Sequence, residues 1–230
     1  MEFKKTMVAV LILFCCFFNT PAQKESQSNK ITEAQWNSLF SALASENWKE
    51  AFDLSSKYLE QVGNDDKADS VANLRYMLIY SAAGSVSIGK MSYDNLEKQL
   101  PKVVGKKIAT PFHPLGIDCH PPMFNYICKT SSGDYDVSIT TANRQATSIL
   151  AFEYINLSKK FDFSKHKEEL AAVLGTVDKI VPNPNRSNLV ILRIYTKDAE
   201  IVLQKEIDLR SKVASLPSRK HLLVKPQITL

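Results

Sequence analysis

The hydrophobic residues of this chain change their spacing near residue 101, from a helical period to a strand period. Before that point apolar residues recur every three or four positions, as at Trp36, Leu39 and Leu43, which is typical of helices with one buried face. After it, apolar and polar residues alternate, as along 135–142, which is typical of a strand with one solvated face. This order predicts an α+β fold, with antiparallel helical hairpins first and a small antiparallel sheet or barrel second.

The first 22 residues have the pattern of a secretory signal peptide. A basic start is followed by an apolar run over 6–18 and by small residues just before Gln23, which predicts cleavage after Ala22. The run is shorter than the roughly 20 apolar residues of a membrane-spanning helix. An uncleaved anchor is the alternative, and a bulky Phe before Cys15 disfavours lipidation there. We therefore expect an exported protein, periplasmic or extracellular, with no membrane span after cleavage.

The composition beyond the signal peptide is that of a folded globular protein. Hydrophobic residues make up 44% of the chain and charged residues 23%, which are ordinary values. Only two of the four cysteines lie beyond residue 22, so a hydrophobic core is expected with at most one disulfide. The formal net charge of +5 is concentrated at the end. The basic segment 208–230 is predicted to be a solvated tail, with contact to nucleic acid or an anionic membrane as the alternative.

Residues 31–100 are predicted to form a helical domain. Thr32 and Gln35 have the capping-box spacing that starts a helix, and Pro101 ends the last one. The helices predicted from the apolar spacing cover 36–43, 48–62, 71–84 and 93–100. They would pack as two antiparallel pairs.

The turns 45–51 and 88–96 occupy the same place in each helix pair, before an aromatic residue that opens the second helix. Together with Trp36, Leu39, Trp48 and Ala51, they give this region a resemblance to tetratricopeptide repeats. The resemblance implies a helical array that binds a peptide or a partner protein. The groove residues that it implies are Trp36, Leu39, Trp48, Tyr76, Tyr80 and Tyr93. A plain four-helix packing unit without a groove is the alternative, because two repeats are fewer than the three of a self-sufficient stack.

Residues 102–207 are predicted to form the β domain. The strands predicted from β-branched and aromatic residues are 108–112, 123–129, 135–142, 147–155, 176–181, 189–195 and 200–207. One short helix is predicted over 165–174, and a last hairpin at Lys197 and Asp198. The element order resembles that of an oligonucleotide/oligosaccharide-binding barrel. That resemblance implies a binding surface without catalytic activity.

A cluster of possible metal ligands lies in the first part of the β domain, at His113, Cys119, His120 and Cys128. Imidazole and thiolate are favoured zinc ligands, but the spacing matches no Cys-x-x-Cys knuckle. In an exported protein two cysteines nine residues apart favour a disulfide between Cys119 and Cys128. Free thiols and a metal site are the alternatives.

Motifs of the common enzyme classes are absent from the sequence. It contains no Gly-x-Ser-x-Gly, no Gly-rich phosphate loop and no His-Glu-x-x-His, which disfavours the hydrolases and metalloproteases that use them. Phe124 and Tyr126 could stack on bases or sugars, but aromatic residues in strands are usually core, so nucleic acid is disfavoured as a partner.

The sequence as a whole favours an exported, non-catalytic binding or adaptor protein of the cell envelope that needs no cofactor or metal. Its partner would be a protein or peptide recognised by the helical hairpins. One alternative is a thiol- or metal-dependent enzyme centred on Cys119 and His120. The other is binding of a small ligand by the β domain.

Overall fold

A computed structural model describes most of the chain between the predicted signal peptide and the predicted tail. The described residues are 30–63, 69–117, 119, 123–130, 133–183 and 189–207. The signal peptide over 1–22 and the tail over 208–230 lie outside them. Helices come first and a seven-stranded sheet follows, so the predicted α+β class is confirmed.

Four α-helices and a short 3-10 helix form the first half. They are α1 (Glu33–Ala44), α2 (Trp48–Val62), α3 (Asp69–Ser87), α4 (Tyr93–Glu97) and the 3-10 helix Leu100–Lys102. The predicted capping box starts α1: the Thr32 amide donates to Gln35 Oε1 at 2.9 Å, and the Gln35 amide donates to Thr32 Oγ1 at 3.3 Å. Within the described ranges, no helix is both long enough and apolar enough to cross a membrane.

Helix α3 is buried on almost every side. Fourteen of its 19 residues are buried, because α2 packs on it from one direction and strands of the sheet from the other. Arg75 is fully buried, and its Nη1 donates to the Lys107 carbonyl at 3.1 Å. A helix that is apolar all round is expected only inside a core, so α3 joins the two halves of the molecule.

The second half is a sheet of seven strands. They are β1 (Lys107–Ala109), β2 (His113–Gly116), β3 (Ile127–Lys129), β4 (Asp136–Ala142), β5 (Ile149–Leu157), β6 (Leu170–Pro182) and β7 (Val190–Leu203). The strand order is β1-β6-β2-β3-β4-β5-β7, and β7 pairs again with β6. Six strands therefore close into a barrel, with β1 added beside β2 on the same edge of β6.

The barrel is mixed rather than wholly antiparallel. Strands β2 and β3 pair in parallel, and so do β5 and β7, whereas all other neighbours are antiparallel. Strand β6 separates β5 from β7 in the chain and runs antiparallel to β7. The chain therefore returns to the direction of β5 when it forms β7, so β5 and β7 pair in parallel.

Two local predictions are wrong in this region. The segment 165–174 does not form a helix: helical turns are confined to the 3-10 helix Phe163–Lys165, and β6 begins at Leu170. The predicted hairpin at Lys197 and Asp198 is instead a bulge within the continuous strand β7. Asp198 has φ of 51° there, and two residues of β7, Asp198 and Ala199, lie opposite the single β6 residue Gly175, which is the signature of a bulge.

Alternate residues of all six barrel strands, with Phe163, fill the barrel. They are Leu115, Ile127, Val137, Ile139, Ile155, Leu157, Phe163, Ala171, Val173, Ala199 and Leu203. A second cluster joins Trp48, Tyr76 and Ile79 to Leu150 and Ile194, so the helices and the barrel share core residues. The sequence boundary near residue 101 is therefore not a boundary between separate cores.

Gly84 in α3 lies against the indole ring of Trp48, the first residue of α2. A Cβ atom added there would overlap the indole ring of Trp48. Alanine in a helix interior normally gains about 1 kcal/mol over glycine, whereas forcing extra volume into a packed core costs about 1–3 kcal/mol. The difference between these two effects leads us to expect that Gly84→Ala lowers the free energy of unfolding by about 1 kcal/mol, measured by urea denaturation.

Gly133→Ala is the matched control for this substitution. The nearest atom to a Cβ added at Gly133 is Asp136 Oδ2, at an ordinary 3.5 Å, so a change below about 0.5 kcal/mol is expected. A Gly84→Ala protein as stable as the wild type would contradict the packing argument.

Candidate functional site

Most of the residues predicted to line a groove on the helices lie in the hydrophobic core. Trp36, Leu39, Trp48 and Tyr76 are each at most 4% exposed, so they are not available to a partner in this fold. Trp48, Tyr76 and Tyr80 do form one aromatic cluster, with ring centroids of Tyr80 5.3 Å from Trp48 and 6.0 Å from Tyr76. Tyr80 and Tyr93 are partly exposed.

The predicted disulfide is confirmed. Cys119 and Cys128 are bonded, with Cα atoms 5.8 Å apart. The bond packs on Gly116, where an added Cβ would lie 2.5 Å from Cys119 Sγ. Since Gly116 and Cys128 are register partners, the disulfide covers the parallel pair of β2 and β3. Neither cysteine is a free thiolate in this structure.

Of the two histidines in the predicted cluster, the structure describes only His113. His113 begins β2 and is 6% exposed, and His120 lies outside the described residues. In the part of the chain that the structure describes, there is no group of three His, Cys, Asp or Glu side chains that could hold a metal ion. Burial lowers the pKa of His113 to about 4, against an opposing backbone hydrogen bond with Asn125, so His113 is neutral.

The outer face of the barrel presents an ordered row of three aromatic side chains followed by a lysine, here called the tyrosine row: Phe152, Tyr154, Tyr195 and Lys179. Tyr154 on β5 and Tyr195 on β7 are register partners, with ring centroids 4.9 Å apart and planes inclined by 10°. Phe152 packs on Tyr154 at 4.8 Å. Lys179 on β6 places its Nζ 4.4 Å from the ring centroid of Tyr195.

The strand order decides what the tyrosine row can bind. Because β7 lies between β5 and β6, Tyr154 covers one face of Tyr195 and Lys179 covers the other. Tyr195 therefore has no free ring face on which a base or a sugar could stack. The row offers ring edges, phenol hydroxyls and an ammonium group, and Tyr154 is 37% exposed. Tyrosine is enriched at protein interfaces for this combination of apolar area and hydrogen bonding.

The sequence gives only part of the signal for this row. The strand predicted over 147–155 implies that Phe152 and Tyr154 lie on one face and that Ala151, Glu153 and Ile155 lie on the other. The cross-strand pairing with Tyr195 depends on a parallel contact between strands that are distant in the chain. No local pattern contains that contact.

A hydrogen-bonded pair of polar side chains, Tyr76 and Glu153, is buried where α3 meets the barrel. The Tyr76 hydroxyl on α3 donates to Glu153 Oε1 on β5 at 2.8 Å, and Glu153 is fully buried. Burial raises the pKa of Glu153 to about 7, against the opposing effects of the hydrogen bond from Tyr76 and of the nearby Thr141 hydroxyl. Burial and the Glu153 charge raise the pKa of Tyr76, so the phenol remains protonated.

A small cavity lies beside this pair. Its volume is about 10 Å³, and its lining includes Arg75, Tyr76 and Ile194. That volume is enough for about one water molecule, whereas sites for small organic molecules enclose about 300–1,000 Å³. This cavity cannot hold an organic ligand.

The burial of His113 has a consequence for acid stability. The folded protein keeps His113 neutral down to about pH 4, while the unfolded chain binds a proton near pH 6.5. Stability from this group is therefore complete above pH 6.5 and is lost as the pH falls to 4. We expect wild type to lose about 3 kcal/mol of unfolding free energy between pH 7 and pH 4 relative to His113→Leu, measured by urea denaturation.

His166→Leu is the control, because His166 is partly exposed beside Glu169. Its unfolding free energy at each pH is the reference for the loss of a partly exposed imidazole. Parallel pH profiles for wild type and His113→Leu would show that His113 is not buried as a neutral ring.

Comparison of this chain with protein-family models, with curated proteins and with solved structures finds no match in any of the three.

Proposed function

We propose that the protein is a non-catalytic binding protein that recognises a partner protein or peptide through the tyrosine row. The carrying observation is the exposed Tyr154 ring, held by Tyr195 and Phe152 on a closed barrel. An ordered aromatic side chain loses little conformational entropy on binding, which favours its use as an interface anchor. The surface proposed here replaces the helical groove, because most of the predicted groove residues are core.

Three observations favour recognition of a partner protein or peptide over a thiol- or metal-dependent enzyme and over binding of a small ligand. A thiol-dependent enzyme needs a thiolate, and Cys119 and Cys128 are bonded to each other. A metal-dependent enzyme needs a ligand set, and the described residues contain no such group of side chains. A small-ligand site needs a cavity, and the cavity beside Arg75 has room for about one water.

We further propose that the protein is exported, and that it works in the periplasm or outside the cell. The signal-peptide pattern of residues 1–22 is the main support. The disulfide between Cys119 and Cys128 agrees with it, because disulfides persist in oxidising compartments.

Intact mass spectrometry of protein purified from its source without reductant tests export and oxidation together. We expect a chain that begins at Gln23 and lacks two hydrogens relative to its reduced form. A chain that retains residues 1–22 would contradict cleavage. Two free thiols would contradict the oxidised state and restore a thiol-dependent enzyme as a candidate.

Site-specific photo-crosslinking tests the binding surface. A photo-reactive phenylalanine analogue replaces Tyr154 in the tyrosine row, or Tyr93 on α4 as the matched control from the predicted helical groove. We expect a discrete protein adduct at Tyr154 in cells of the source organism, and none at Tyr93. Tyr195→Ala removes the ring that holds Tyr154, and should weaken binding of the purified partner by about tenfold or more, as at an interface anchor.

The two positions give different answers if the proposal fails. An adduct at Tyr93 alone would move recognition back to the helices. The absence of an adduct at both positions, with the protein folded, would contradict a binding function for either surface.

A further inference from the structure

Glu153 is a carboxyl group enclosed between the helices and the barrel. Its neighbours Ala151 and Ile155 on alternate positions of β5 are buried with it, so its side chain points inward. Tyr76 reaches it from α3 and donates to Oε1 at 2.8 Å. This hydrogen bond joins side chains 77 positions apart, one from each half of the molecule.

The other oxygen of the carboxyl group is unsatisfied. Glu153 Oε2 is buried and has no hydrogen-bond partner among the described residues, and the same holds for the Thr141 hydroxyl on β4. A buried carboxylate with an unsatisfied oxygen is costly, whereas a protonated carboxyl group has a hydrogen to donate from that oxygen. The Thr141 hydroxyl is close enough to lower the pKa of the same carboxyl group, and it is an available acceptor.

The charged and titratable groups around Glu153 do not neutralise it. The titratable groups that face Glu153 from α3 are Tyr76 and Tyr80. The carboxylate of Glu46, in the turn between α1 and α2, raises the pKa of Tyr80. Thr141 on β4 is uncharged. In the described residues no Lys, Arg or His forms an ion pair with Glu153, and the buried Arg75 donates to the Lys107 carbonyl instead. An ionised Glu153 would therefore be a buried charge with no cation from the described residues paired to it.

We propose that Glu153 and Tyr76 form a proton-dependent clasp between α3 and the barrel, which is closed while Glu153 is protonated and is destabilised when it ionises. The ionised carboxylate accepts a stronger hydrogen bond from Tyr76, but the cost of burying its charge without hydration exceeds that gain. On ionisation the proton of Glu153 passes to solvent, and Tyr76 keeps its own. The anion gains hydration only if α3 separates from β5. The clasp thus links the pH of the surroundings to the contact between the two halves.

The sign of the effect follows from the two protonation states. Burial raises the pKa of Glu153 to about 7 in the folded protein, while the unfolded chain releases the proton near pH 4.5. Between these values the folded state holds the additional proton, so the clasp stabilises most below pH 4.5 and its contribution is lost as the pH rises to 7. The unfolding equilibrium constant should rise about 100-fold between pH 5 and pH 8 from this group alone.

Glu153→Gln tests the clasp, because its amide oxygen accepts from Tyr76 and never ionises. We expect the unfolding constant of wild type to rise about 100-fold more than that of Glu153→Gln between pH 5 and pH 8. Hydrogen exchange of the α3 amides, corrected for the intrinsic rate, should accelerate over the same range in wild type only. Glu60→Gln, an exposed acid on α2, is the control and should follow wild type.

Direct titration keeps the proposal testable if Glu153→Gln fails to fold. The carbon NMR signal of the Glu153 carboxyl group, assigned in wild type, should titrate near pH 7. A midpoint near the ordinary value for Glu, or an unfolding profile of Glu153→Gln that parallels wild type, would overturn the proposal.

Discussion

The burial of α3 on all sides is the constraint on which the rest of this structure depends. Its 19 residues present no single polar face, so the helix is stable only when α2 covers one side and β1, β5 and β7 cover the other. Gly84 lets the Trp48 ring approach closely on the first side, and Arg75 binds the open carbonyl of Lys107 on the second. Two helical hairpins are too few to form a self-sufficient stack. Here the barrel supplies the missing surface, and a tetratricopeptide-like arrangement of the helices stays a prediction.

Local sequence patterns predicted the elements whose geometry depends on residues close together in the sequence. The capping box at Thr32, the bounds of α2 and the alternation along β4 are confirmed, because each depends on neighbours within a few residues. The strand β6 was missed at its start, since Leu170 to Leu174 is an apolar run that fits a helix or a strand equally well. Pairing on both edges decides for the strand. The same limit applies to the site: the spacing of Trp36 and Trp48 indicates an apolar face, but not whether that face is covered.

Two buried ionisable groups act on stability with opposite signs. Burial keeps His113 neutral in the folded state, so between about pH 4 and 6.5 the folded state binds one proton fewer than the unfolded state. Burial also keeps Glu153 neutral, so between about pH 4.5 and 7 the folded state binds one proton more than the unfolded state. Where the two ranges overlap, the proton counts of the folded and unfolded states are nearly balanced. The pair therefore produces a plateau in stability around pH 5 to 6, with a fall on the acid side from His113 and on the neutral side from Glu153. Neither group alone would give that shape.

The parallel pairing of β5 with β7 links the two proposals made for this protein. Successive residues of a strand point to opposite faces, so Glu153 points inward while Tyr154, the next residue, points outward. Their register partners on β7 are Ile194 and Tyr195, which divide in the same way between the core and the tyrosine row. The inner clasp and the outer row thus use adjacent residues of the same two strands. Because Glu153 and Tyr154 are adjacent on one strand, a displacement of β5 would move a residue of the clasp and a residue of the tyrosine row together.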